Sequence, residues 1–236
     1  YLLTIYLVGI NPLLSSLALS LGAAVKPQVA LATPIVLMLM LKNHWRLKKI
    51  MGYVVLSLGV FILIFLPFNL PDKNPFLFVF ERISATLNQY PFGSVNAFNF
   101  WGLWGFWQPD SLGTASPKIL GLLIFGAVSL FSFIRLSKKE GGEYHLAAIF
   151  MAANFLFFTR MHESHLLGVF APLAISASIN PIFWISYLGF SSTYILNLYY
   201  AIQAKNIATI TEQKPKLVSV TNPNVIKCGE NDISKN

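Results

Sequence analysis

The chain has 236 residues, of which 55% are hydrophobic and 11% charged, and its mean hydropathy is +0.61. That balance excludes a disordered segment and an ordinary soluble domain, and it points to an integral membrane protein. The formal charge of +8 gives little support to nucleic-acid binding, because Lys and Arg collect in the cytoplasmic loops of membrane proteins.

Tyr1 lies inside an apolar run with no charged leader before it, so no signal peptide is read and an N-terminal part of the protein is expected to be missing. A bilayer core about 30 Å thick requires roughly 20 apolar residues per helix. Residues 2–24 and 27–41 predict a helical hairpin divided by "VKPQ". Further apolar runs follow at 52–68, 119–134, 144–158, 166–179 and 182–200. The expected fold is all-α, a polytopic transmembrane bundle of about seven spans within residues 1–200. A polar tail is expected at 201–236, and Cys228 within it has no intrachain partner for a disulfide.

Loop charge sets the orientation. "KNHWRLKK" at 42–49 carries four Lys or Arg and no acid, and "RLSKKEGGEYH" at 135–145 carries three, so both are assigned to the cytoplasm. The long segment 69–118 is then extracytoplasmic, and loops of that length in a compact protein are commonly functional. Within it, Phe76, Val79, Phe80, Ile83 and Leu87 recur at helical spacing, which predicts an amphipathic helix over 74–90 lying on the membrane. The aromatic stretch "YPFGSVNAFNFWGLWGFWQPD" after it has no sustained period and predicts an irregular packed loop.

This topology brings three unusual stretches to one side: "VKPQ", the aromatic loop and "TRMHESH" at 159–165. Ionisable groups at membrane depth are costly and face a bundle interior, pair, or mark a substrate path. Lys26 precedes Pro27, which is suited to the first position of a helix, so an anion is expected at that helix N-terminus; a Lys that only snorkels to the interface is the plainer alternative. Arg160 offers a planar fork for phosphate. If the helix continues, Glu163 shares its face and pairs with it, in a functional site or in a structural ion pair. His162 and His165, three apart, are a weak metal signal. Asp72, Glu81 and Asp110 are the loop acids, of which an isolated one is expected to be solvated. Asn96 and Asn99 are candidates to bind a sugar or phosphate, and Trp101, Trp104 and Trp107 offer stacking faces or an aromatic belt.

"KPQVALATPIVLML", "SVNAFNFWGLWG" and "TRMHESHLLGVFAPL", in that order over about residues 20–180, resemble the GT-C class of membrane glycosyltransferases, especially prokaryotic mannosyltransferase-like members. Family members read Lys-Pro-Gln, Asn-Ala-Phe-Asn-Leu-Trp and Thr-Arg-Met-His-Glu-Arg-Tyr; here Ser164 and His165 stand in place of the last Arg-Tyr. The resemblance implies transfer of a sugar from a polyprenyl-phosphate donor to a glycan, lipid or protein acceptor outside the plasma (inner) membrane. It implies donor-phosphate binding by Lys26, Arg160, His162 and Glu163, and a substrate loop containing Gln28, Asn96, Asn99 and Trp101. It also implies a catalytic acid in the N-terminal region that is expected to be missing, and assistance by a divalent cation, Mg or Mn. A transporter or flippase of a lipid-linked or anionic substrate is the main rival from another class, and a non-catalytic membrane scaffold is a third.

Overall fold

The computed structural model describes residues 1–69, 74–111 and 116–221, with side chains described up to residue 204. The chain is helical almost throughout: α1 (Leu2–Leu7), α2 (Pro12–Val25), α3 (Thr33–Lys42), α4 (Leu47–Phe65), α5 (Pro75–Leu87), α6 (Pro117–Leu136), α7 (Gly142–Phe157), α8 (Leu167–Ile179) and α9 (Phe183–Thr221). Two residue pairs form its short parallel ladder, β1 (Ser94–Val95) against β2 (Met161–His162).

Proline and asparagine explain where these helices begin. The run 2–24, expected as one span, is broken because Asn11 takes an extended conformation and its side chain accepts a hydrogen bond from the Leu14 backbone N–H, with Pro12 in the first turn. That is an N-cap, and it starts a new helix. Asn74 caps α5 in the same way ahead of Pro75. The run 27–41 divides too, since Pro27–Ala32 is a 3₁₀ segment and α3 starts only at Thr33. At the other end α9 continues to Thr221, past the boundary expected at 200, while Cys228 lies outside the described residues.

Among the described residues, two helical segments are long and apolar enough to cross a membrane, Leu47–Phe68 and Pro117–Leu136. Only 6% and 11% of their most apolar stretches are buried inside the protein, so their Leu, Ile, Val and Phe side chains face outward instead of filling the core. By contrast α7 is buried along most of its length, from His145 to Phe155. It joins two apolar clusters. One gathers Ile5, Leu19, Ile35, Met40 and Tyr53 against Leu146 and Phe150; the other gathers Met151 and Phe155 with Leu166, Val169 and Leu173. At the end of α7 Gly121 of α6 lets the two helices touch: a methyl group there would overlap the Phe157 carbonyl oxygen.

Candidate functional site

The end of α7 positions the site. Phe158 is extended, and Arg160 adopts a left-handed backbone at φ +66°, a conformation uncommon for any residue but Gly. That turn sends Met161–His162 into the ladder beside Ser94–Val95. The aromatic loop is closed on itself by the Gly93 N–H donating to Gln108 O (2.7 Å) and the Trp107 N–H to Ser94 O (2.9 Å), and it is tied to α7 by the Arg160 N–H donating to Phe92 O (2.8 Å). The "VKPQ" turn arrives from the other side: Lys26 Nζ donates to Ser164 O at 3.4 Å, and Gln28 Nε2 reaches Met161 Sδ at 3.8 Å. The three stretches singled out in the sequence therefore meet.

Between them and the C-terminal end of α5 is an open cavity of about 680 Å³. Lys26, Gln28, Arg160, His162 and His165 are among its polar lining residues, and Leu31, Phe80, Ile83, Leu122 and Phe158 among its apolar ones; Lys118 and Tyr90 also line it. Among the described residues no Asp or Glu does so.

Arg160 does not pair with Glu163, because the helix ends before it and the two share no face. Its partner is Asp110. Arg160 Nε donates to Oδ2 at 2.6 Å and Nη2 to Oδ1 at 3.3 Å, while Nη1 donates to the Leu87 carbonyl and to Asn88 Oδ1. A guanidinium has five N–H groups, so a single one is left for a ligand. Asp110, expected as a solvated loop acid, is instead 1% exposed and also accepts from Thr159 Oγ1 at 3.1 Å. Burial pushes its carboxyl pKa up, but the hydrogen bonds and charge of Arg160, helped by Thr159 and Lys118, outweigh this and hold it below the usual carboxylate range.

Lys26 keeps its place in the cavity but not the argument from a helix N-terminus, since only a six-residue 3₁₀ segment follows. Burial lowers its pKa. His162 and His165 do not share a helical face; they form a reciprocal capping pair, each ring accepting the other's backbone N–H, with His162 N to His165 Nδ1 at 2.8 Å. Burial lowers the His162 pKa against the opposing charge of Glu163. His165 is pushed down to about 4, first by burial and then by Lys26 and His162. Among the described residues Glu163 makes no ion pair.

Three of the four residues expected in the substrate loop are hydrogen-bonded within the protein. Trp101 is buried and its Nε1 donates to Phe157 O at 2.7 Å. Asn99 caps the 3₁₀ segment Phe100–Trp104 by accepting from the Gly102 N–H. Asn96 accepts from Trp107 Nε1 at 3.0 Å, and its backbone oxygen accepts from Asn197. None of the three lines the cavity; Gln28 does. Glu81 lies on α5 outside the cavity, and Asp72 lies outside the described residues. Sequence reasoning passed over His165 as a binding group, as well as Lys118 and Tyr90. Only the departure from the family pattern at His165 could have drawn attention to one of them.

Among the described residues no three His, Cys, Asp or Glu side chains gather as they would around a metal ion. No family model, curated protein or solved structure matches the chain.

Proposed function

We propose that the chain belongs to a multi-pass membrane glycosyltransferase that moves a sugar, a hexose such as mannose, from a polyprenyl-phosphate donor to an extracytoplasmic acceptor. The observation that carries this reading is the mixed lining of the cavity of about 680 Å³, which combines cations and neutral donors with large apolar side chains. A lipid phosphate has the matching form, with an anionic head for Lys26 and an aliphatic chain for Phe80, Ile83 and Leu122. The outward apolar faces of α4 and α6 support residence in a bilayer, where burial in lipid removes that surface from water, and the shorter apolar helices complete a bundle of about seven spans. Extracytoplasmic placement of the cavity follows from the basic loops at the opposite end.

In the reaction the anomeric carbon–oxygen bond breaks and its electron pair leaves with the lipid phosphate. The acceptor hydroxyl oxygen bonds to that carbon and gives its proton to a base outside the cavity lining. Lys26 compensates charge on the departing phosphate, the type of stabilisation that acts where charge develops. Arg160 mainly holds the loop, α5 and the end of α7 in register, and lends one N–H. The test is release of sugar from a radiolabelled polyprenyl-phosphoryl-mannose by protein in liposomes, comparing wild type with Lys26→Gln. Release that falls at least about tenfold in the variant supports the reading, since that is the scale of one lost charged contact. Passage of intact donor across the bilayer would assign the cavity to transport instead.

A further inference from the structure

The polar residues of the cavity lining carry less free charge than their types imply. The charge of Arg160 is balanced by Asp110 at 2.6 Å. Both imidazoles are acceptors in the reciprocal pair, and a ring nitrogen that accepts carries no proton. Among the described lining residues two cations remain, Lys26, whose Nζ donates to Ser164 O at 3.4 Å, and exposed Lys118.

His165 is the informative member. Its Nδ1 accepts from His162 N at 2.8 Å, so the neutral ring bears its proton on Nε2. Among the described residues Nε2 has no partner, although the ring is largely buried and lines the cavity. A pKa of about 4 keeps the ring neutral at pH 7. The cavity thus offers a charged donor from the "VKPQ" turn and an uncharged donor from the turn at 163–166.

We propose that His165 sets the charge of the headgroup the cavity retains: as a neutral donor beside Lys26, it lets the site hold a singly charged lipid phosphodiester and let go of the doubly charged phosphomonoester. The inference rests on the lipid-phosphate reading of the cavity. Coulomb attraction scales with the product of charges, so a second cation at this position would favour a dianion twice as strongly as a monoanion. A phosphomonoester carries nearly two negative charges at neutral pH, and it is the form left when the sugar departs. A neutral group at 165 therefore limits retention of the spent lipid without giving up a hydrogen bond to the incoming one.

The experiment measures binding of farnesyl-phosphoryl-mannose, a diester, and of farnesyl phosphate, a monoester, to the protein in liposomes at pH 7. Wild type, His165→Gln and His165→Arg are compared, with helical circular dichroism reporting folding and His165→Lys as a second cationic variant. Wild type should bind the diester at least as tightly as the monoester, and His165→Gln should keep that ratio. The cationic variants should shift it toward the monoester by about tenfold, the effect of one additional charged contact. An unchanged ratio in folded cationic variants, or a wild type that already prefers the monoester by that factor, overturns the proposal. If folded wild type binds neither lipid, the lipid-phosphate reading itself fails, and the role of His165 falls with it.

Discussion

Arg160 and Asp110 are 50 positions apart in the chain, and their side chains meet at 2.6 Å with Asp110 almost fully enclosed. This pair joins the end of the aromatic loop to the end of α7, and through Nη1 it also holds the last carbonyl of α5. A charge buried in this way is stable only while its partner is present.

Replacing Asp110 with Asn should destabilise the protein by about 1–3 kcal/mol, because the charge-assisted bonds to Arg160 weaken while its guanidinium keeps partial access to solvent. Arg160→Lys should also lose stability, because an ammonium cannot reproduce the fork on both carboxylate oxygens. Denaturant unfolding of the two single variants and the double variant in detergent checks this. Strictly additive losses would show that the two residues are not coupled.

Acid should act through the same pair and through the histidines. The Asp110 carboxyl is held below its usual range, so its contribution is present above about pH 3.9 and disappears as the pH falls through its lower folded value. His165 is also depressed, to about 4. Between an unfolded value of about 6.5 and that folded value, the unfolded chain takes up protons that the folded one refuses, so stability should decline over this interval. Melting temperatures measured from pH 7.5 to 4 should show a decline that is shallower in His165→Gln.

Trp101 distinguishes a stacking platform from a strut. Because its indole N–H donates to Phe157 O, Trp101→Phe should lower the melting temperature through the loss of a buried bond worth about 1 kcal/mol or more, with the donor Kd unchanged. A weaker Kd at unchanged stability would return Trp101 to the substrate loop.

Gly121 is the contact that brings α6 against Phe157 and Trp101. Gly121→Ala should cost about 1–3 kcal/mol through overpacking, and the displaced indole should shift the tryptophan fluorescence. No change in either readout would mean that α6 moves aside freely.

Orientation can be tested with cysteines at Leu103, 80% exposed on the aromatic loop, and at Lys139, exposed on the basic connection, in a Cys228→Ser background. A membrane-impermeant thiol reagent applied outside should label position 103 alone. Labelling of 139 instead would invert the topology.

Much of the helical framework was readable from local pattern. The runs at 52–68, 119–134, 144–158 and 166–179 became α4, α6, α7 and α8, because apolar length and backbone propensity act over neighbouring residues. The amphipathic spacing around Phe80 likewise marked α5. Where the reading went astray at residues 11 and 27–32, the signal was local as well: an Asn-Pro cap, and closely spaced prolines in a short apolar run. The meeting of "VKPQ", the aromatic loop and "TRMHESH" was legible from the alternation of helices and the sign of the loops.

Who pairs with whom was decided only by the tertiary structure. Spacing on a helix offered Glu163 to Arg160, but the helix stops at Phe157 and a left-handed turn presents the guanidinium to Asp110, which no periodicity links to it. The same turn leads into the reciprocal histidine pair, and packing against Phe157 draws Trp101 inward where composition suggested a stacking face. Sequence by itself determined the helices and the three stretches of chemistry, because those depend on residues adjacent along the chain. Charge balance, tautomer and the direction of each polar side chain depend on groups up to 167 residues apart, as for the Tyr1 hydroxyl and the Gly168 carbonyl, and these are set only when the desolvation of each buried polar group is met by a partner.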